Sequence, residues 1–308
     1  MIIFIPNDHG VGHYFRLLNI ANRLKSYTNE KIGFYINDSF EDDNKNKFVK
    51  CDHNDLKDAR LIVIDSNDME YNHNVLSKVN YEKVIWITDL QYDLSGRYKK
   101  IFAPFSGHSK NQVISGMDYF VVQANETENH RTLPKFVNSI GIYFGSIDET
   151  NNLFYVLHKL DKLGLIDNYR FNIMIGTRYR YKNYIDEYFI KGYPSTVQVC
   201  KSNFESIYDF LNLNDLFIGC CGNTSFEALH VGLPIINIVQ NHLQNKNAGF
   251  LQEKYGFPNL GFYPTDDKIL ELFKGEIFHN LPFYSKLAKT VIDGKASDRI
   301  STLILEDM

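Results

Sequence analysis

The chain is poor in cysteine. It has four, Cys51, Cys200, Cys220 and Cys221, and none stands at metal-ligand spacing. An adjacent pair such as Cys220-Cys221 rarely closes a disulfide, so these residues fit a reducing, cytoplasmic setting. No apolar run approaches the roughly 20 residues of a membrane span, which predicts no integral membrane segment. The N-terminus enters a strand at once, without the basic and then long apolar regions of a signal peptide. An excess of positive charge is missing too. Lys and Arg number 33 against 37 Asp and Glu, a net charge of −4, so no nucleic-acid partner is expected. There is no repeat and no low-complexity segment. There is also no Ser/His/Asp hydrolase elbow, no Walker-type phosphate loop, no HExxH and no cluster suggesting a catalytic metal. No cofactor is expected.

What is present is length and alternation. The 308 residues, 44% apolar and 14% aromatic, suffice for two domains with separate cores. Short apolar runs at Met1–Pro6, Ile32–Ile36, Leu61–Asp65, Val84–Asp89 and Tyr119–Gln123 read as strands buried on both faces, the pattern of a parallel sheet. Tyr14–Lys25 has the apolar spacing of an amphipathic helix, and Glu41–Asn54 reads as a polar surface connection. The texture changes near 140–152, which places a domain boundary at 145/146. A second alternating series then runs through strands at Arg170–Ile175, Thr196–Cys200, Leu216–Gly219 and Leu233–Val239. Its helices fall at Tyr155–Leu163, Tyr181–Ile190, Ser206–Leu211, Ser225–Val231 and Asn247–Lys254, with a mostly helical tail. The expected class is α/β, with two doubly wound parallel-sheet (Rossmann-like) domains, 1–145 and 146–308, facing a cleft.

Three segments can carry chemistry. The first, Gly10-Val11-Gly12-His13-Tyr14-Phe15-Arg16, is a strand–glycine–helix junction. Gly10 and Gly12 let the backbone approach a ligand, and His13 at the helix start is a candidate general base. Asp8 and His9 stand where they can orient it. The same residues also read as a tight turn with a solvated histidine. The second, Gly219 to Glu227, is a small-residue turn opening a helix. Asn223, Thr224 and Ser225 lie beside free helix N–H groups, a cradle suited to a diphosphate, with Glu227 placed for ribose hydroxyls. Thr224-x-x-Glu227 reads equally as a capping box. Gly232-Leu233-Pro234, Asn241, Gln244 and Asn247 follow and would line the same wall. The third is Asp293-Gly294-Lys295-Ala296-Ser297-Asp298-Arg299, a break between two helices from which Arg299 can reach an anion or an acid of the other domain. Asp65 and Asp89 close apolar strands, with Asp65 the stronger candidate. Arg178 and Arg180 read as exposed arginines near a possible phosphate.

These pieces together resemble one family. The opening G-x-G-H-x-x-R, the segment Gly222-Asn223-Thr224 through Glu227, then Gly232-Leu233-Pro234, Gln244 and Asn247-Ala248, and the closing Asp293-Gly294-Lys295 with Arg299 are similar to the nucleotide-sugar hydrolase of pseudaminic acid biosynthesis and its spore-coat polysaccharide relatives. The first two motifs recur in the wider superfamily of two-domain glycosyltransferases. The chain departs from the pattern at Pro6-Asn7-Asp8-His9, at Gly176-Thr177-Arg178, at Cys220-Cys221 and at Ala296.

The resemblance implies a glycosyltransferase-B fold and metal-independent, inverting hydrolysis of a nucleotide-activated amino-deoxy sugar, with UDP the expected nucleotide. By that analogy His13 takes a proton from water. Gly12, Arg16, Asp65, Gly222, Asn223, Thr224, Ser225, Glu227, Asn241, Gln244 and Asn247 contact substrate, and the last helix packs back on the first domain. The alternative is a glycosyltransferase using the same cleft. Its mark would be an exposed apolar or basic patch on the N-terminal domain, and the sequence shows no clear basic amphipathic segment. A nucleotide-sugar binding protein without catalysis is a third reading.

Overall fold

The computed structural model describes residues 1–7, 11–36, 48–77, 79–91, 98–107, 112–123, 132–200 and 206–308. The chain forms two compact units, Met1–Ala124 with Asp293–Met308, and Asn125–Ile292.

In the first unit the described elements run β1 (Ile2–Pro6), α1 (Val11–Lys25), β2 (Ile32–Phe34), β3 (Val49–Lys50), α2 (His53–Asp58), β4 (Leu61–Asp65), α3 (Met69–Val75), β5 (Val84–Ile87), β6 (Lys100–Phe102) and β7 (Val113–Ile114). The seven strands are all parallel, in the order β3-β2-β1-β4-β5-β6-β7. Strand side chains alternate between faces, and the core divides accordingly. Ile2, Phe4, Val63, Ile85 and Ile87 pack on one face with Leu17, Ile20 and Leu24 of α1. Ile3, Ile5, Ile62, Ile64, Val84 and Trp86 pack on the other with Leu56 of α2. Burial on both faces is why these strands read as unbroken apolar runs.

The second unit comprises β8 (Ser139–Tyr143), α4 (Asn152–Lys162), β9 (Arg170–Met174), α5 (Lys182–Ile185), β10 (Val197–Cys200), α6 (Ile207–Leu211), β11 (Leu216–Gly219), α7 (Asn223–His230), β12 (Ile235–Asn237), α8 (His242–Tyr255), α9 (Asp266–Lys274) and α10 (Leu281–Val291). Its five parallel strands run β10-β9-β8-β11-β12. Ile140, Ile142, Phe171, Ile173, Leu216 and Ile218 meet Leu153, Val156, Leu157 and Leu160 of α4 in one core. A π-helical turn, Asp186–Ile190, continues α5.

The last helix, α11 (Ala296–Glu306), returns to the first unit, where Ala296, Ile300 and Ile304 are buried against α1 and the sheet.

Three sequence readings are corrected. The boundary is not at 145/146: Ser139–Tyr143, which that division leaves in the first domain, is the central strand of the second sheet, paired with β9 and β11. Tyr119–Gln123 is not a strand. Gly116, at φ +120°, turns the chain into a 3-10 helix at Met117–Tyr119, and the residues after it are irregular. The polar stretch 41–54 is not wholly loop, since Val49–Lys50 adds an edge strand and Asp52 caps α2 by accepting from Asn54 and Asp55 N–H. Residues 41–47 of that stretch lie outside the described residues.

Candidate functional site

The first cluster sits at the carboxyl ends of β4 and β5. His13 and Arg16 lie three residues apart on α1 and so share a face. Both turn to Asp65, the last residue of β4. His13 Nδ1 is 2.7 Å from Asp65 Oδ1. Arg16 grips the same carboxylate with two prongs, Nε to Oδ2 at 2.8 Å and Nη2 to Oδ1 at 2.6 Å. Its third nitrogen, Nη1, donates to Asp89 Oδ1 at 2.5 Å.

The guanidinium lies over the Phe120 ring, 5.6 Å from its centroid. Asn67 braces Asp89 from the other side. Its Oδ1 accepts from the Asp89 N–H at 2.7 Å and from Thr88 Oγ1 at 3.0 Å, and its Nδ2 donates to Asp89 Oδ2 at 3.1 Å. At the end of β1, Asn7 Nδ2 donates to Ser66 Oγ at 2.9 Å.

Electrostatics follow from this geometry. Burial alone would lower the Arg16 pKa, but Asp65 and Asp89 outweigh it and hold the guanidinium charged. Burial alone would raise Asp89, but the charge and hydrogen bond of Arg16, with help from Asn67, keep it below the usual carboxylate range. Arg16 Nη2 also stands 3.1 Å from His13 Nδ1. With a carboxylate as acceptor at the shorter 2.7 Å contact, the geometry fits the tautomer with its proton on Nδ1. In a neutral imidazole that tautomer leaves the lone pair on Nε2.

Of the expected substrate contacts, Asp65 is fully buried and Arg16 nearly so. Each holds partners within the cluster. Gly12 is within the first turn of α1, because the helix begins at Val11 rather than Tyr14. Asp8 and His9 lie outside the described residues, and the group that orients His13 is Asp65. Asp89, ranked below Asp65 on sequence, is part of the same network, and Asn67 was missed. An acid closing an apolar strand was the available signal for Asp89; nothing local marks Asn67.

The second cluster surrounds the start of α7 in the other unit. Gly219 ends β11 where a Cβ would press on Phe217 and the Ser225 hydroxyl. Cys221 then takes a left-handed conformation, φ +59°. The helix starts at Asn223, with Gly222 as N-cap and no side-chain cap. Thr224 is therefore inside the first turn, and the Thr224–Glu227 capping box does not form. Ser225 N–H turns back to the Gly222 carbonyl at 2.9 Å, and no side chain of the N-cap takes the N–H groups of Asn223 and Thr224. Asn223, Thr224 and Glu227 are half-buried around this end. Burial pushes the Glu227 carboxyl up to about 7, against a hydrogen bond from Thr224. Burial also raises the Tyr143 hydroxyl to about 12 and raises that of Tyr208, and the Glu227 charge adds to both.

Other expected contacts in this unit take structural roles. Ser225 is buried against β11. Asn241 caps α8 by accepting from Gln244 N–H at 2.9 Å, and Gln244 Oε1 accepts from Gln240 N–H at 2.8 Å. Asn247 is buried. The first strand of this unit is β8, and Gly176-Thr177-Arg178 follows β9, its second. Arg299 belongs to the first unit. Its Nη1 donates to Asp293 Oδ1 at 2.8 Å and to the Asp118 carbonyl at 3.0 Å, tying the turn before α11 to the 3-10 helix. Among the described residues no group of His, Cys, Asp and Glu is arranged to hold a metal, and no helix is long and apolar enough to cross a membrane.

Two all-parallel α/β sheets, of seven and five strands, define the glycosyltransferase-B fold. MurG of Acinetobacter baumannii shares it with a TM-score of 0.67 at 13% identity, over 99% of each chain. The spinosyn rhamnosyltransferase SpnG, complexed with spinosyn aglycone, aligns with a TM-score of 0.64 at 10% identity over 98% of this chain and 100% of that one. Arabidopsis thaliana UGT89C1, complexed with UDP-L-rhamnose, aligns with a TM-score of 0.62 at 12% identity over 99% of this chain and 98% of that one. In sequence the chain is 25% identical over 269 residues to the uncharacterized protein MJ1062 of Methanocaldococcus jannaschii, covering 78% of this chain. The chain spans about half (55%) the length of that relative. No protein-family model matches.

Proposed function

We propose that the protein is a glycosyltransferase that moves a sugar from a nucleoside diphosphate to an acceptor hydroxyl with inversion at the anomeric carbon. The observation that carries the reading is the buried Asp65 carboxylate on His13 Nδ1, 2.7 Å away. It sets the tautomer in which Nε2 is a base. In this reading Nε2 takes the acceptor's O–H proton and the freed oxygen bonds to C1. The C1–oxygen bond to the diphosphate breaks, and the nucleoside diphosphate leaves with the electron pair. Its negative charge is assigned to the uncapped start of α7, where the helix dipole and free N–H groups favour an anion. Asn223 and Thr224 supply side-chain donors there, and Glu227 accepts from the ribose hydroxyls. UDP is the nucleotide proposed; the fold relatives include one complexed with UDP-L-rhamnose.

A second reading, hydrolysis of a UDP-activated amino-deoxy sugar in surface polysaccharide or nonulosonic acid biosynthesis, is favoured by the G-x-G-H-x-x-R opening and the Asp293-to-Arg299 ending. It uses the same base on water. Incubation with UDP-, GDP- and CMP-sugars, followed by NMR of the anomeric protons, separates the two. Turnover only when an acceptor is added supports transfer. Free sugar of inverted configuration without acceptor supports hydrolysis. Turnover that persists in His13→Ala would sink both.

A further inference from the structure

The segment from Arg178 to Lys191 has an outer face unlike that of an ordinary surface helix. Ile185 and Phe189 point inward and are buried, Phe189 against Phe154. Beside these lie Tyr181, Tyr184 and Tyr188, which are 41%, 55% and 63% exposed. A surface helix normally turns charged or polar side chains outward. Here three aromatic rings form a row among the exposed Lys182, Asn183 and Glu187. Tyr181 and Tyr184 have centroids 6.4 Å apart, and Tyr184 and Tyr188 have centroids 6.3 Å apart with planes within 9°. The π-helical turn at Asp186–Ile190 carries the last of these rings, and such turns are frequent at functional sites.

Cations flank the rings. Arg178, Arg180, Lys182 and Lys191 are all exposed. Among the described residues only Lys191 has an ion-pair partner, Glu187 at 2.5 Å. Arg178, Arg180 and Lys182 have no ion-pair partner among the described residues. Asp186 is the only other acid in the segment, in a chain whose net charge is −4. The segment is also fixed in place. Arg178 N–H donates to the Ser146 carbonyl at 2.9 Å, and the buried Tyr179 hydroxyl donates to Asn151 Oδ1 at 2.5 Å.

From this face we infer that the second unit docks on an anionic lipid bilayer, lying on it rather than crossing it. Tyrosine suits that boundary because its ring is apolar and its hydroxyl wet, and tyrosines are enriched at headgroup depth. Free Arg and Lys groups beside the rings complement anionic headgroups. The inference stands on this surface alone and not on the transferase reading.

The test is flotation of the full chain with vesicles of phosphatidylcholine containing phosphatidylglycerol, against phosphatidylcholine alone. Binding to the anionic vesicles should exceed binding to the neutral ones by about tenfold or more and fall as salt rises. Tyr181→Ser with Tyr184→Ser and Tyr188→Ser should reduce it about tenfold, and so should Arg178→Gln with Arg180→Gln and Lys182→Gln. The second set replaces exposed charges only, so it tests the surface even where the first unfolds the segment. Thermal unfolding is to be unchanged in whichever variant is scored. Absence of flotation overturns the inference, as does flotation that neither variant weakens. A self-associating chain that fails to float, and that the tyrosine variant makes monomeric, also overturns it and assigns the face to a second copy.

Discussion

His13 and Asp65 stand 52 residues apart in the chain, yet Nδ1 and Oδ1 meet at 2.7 Å. Asp65 is simultaneously clamped by both prongs of Arg16. The carboxylate that sets the His13 tautomer is thus itself held rigidly, and Arg16 is shared between it and Asp89.

In the transferase reading, His13→Ala removes the proton acceptor. We expect kcat to fall by about 10²–10⁴ with little change in nucleotide affinity. Asp65→Asn keeps the shape but presents an amide to His13 Nδ1, so kcat should fall while Kd for UDP holds. Steady-state kinetics and calorimetric titration with UDP check both.

Arg16→Met leaves two buried carboxylates without their cation. At neutral pH this should cost about 3–5 kcal/mol, read from urea unfolding. The penalty should depend on pH. Asp89 in the native protein titrates below its unfolded value, so its stabilisation is complete above about pH 4 and is lost as pH falls through the depressed native value. In the variant, acid neutralises the facing carboxylates. Without Arg16, burial raises those carboxylates, so the gap between the two proteins should narrow as pH falls from neutrality.

Glu227 titrates at about 7 in the folded chain, above its unfolded value of 4.5. The native state binds the extra proton between those values, so this group's contribution to stability declines as pH rises from 4.5 to 7 and is flat beyond. Glu227→Gln should remove that decline and be more stable above pH 7 by on the order of 2 kcal/mol. UDP binding, if Glu227 accepts from the ribose, should tighten through the same range in the native protein and lose that dependence in Glu227→Ala.

Ile304→Ala opens a cavity where α11 is buried against the first unit. The expected cost is about 2–5 kcal/mol. Hydrogen exchange should show it as lost protection in α1 and α11, with the five-stranded sheet unaffected.

Much of the fold was legible because a strand buried on both faces needs an unbroken apolar run. Ile2–Pro6, Leu61–Asp65 and Leu216–Gly219 have that form, and α1 shows helical spacing. The short strands β6 and β7 were not legible, since two or three residues carry no period. The strand Ser139–Tyr143 was not read at all, because Gly141 at its centre breaks the apolar run.

The candidate site divides in the same way. Local chemistry marked His13 behind its glycines and the Gly222–Glu227 turn, because a tight turn and a helix start are written in adjacent residues. The capping box at Thr224 failed over a shift of two residues in the helix start, which is below what composition resolves. Where the partners are far apart in the chain, only folding decided. It brought Asp65 and Asp89 to neighbouring strand ends, gave both to Arg16, buried Ser225, and closed Arg299 onto Asp293. A carboxylate at a strand end looks the same in sequence whether it meets a ligand or an arginine. Which it meets depends on the order in which parallel strands pair, and that is set by the packing of the whole unit.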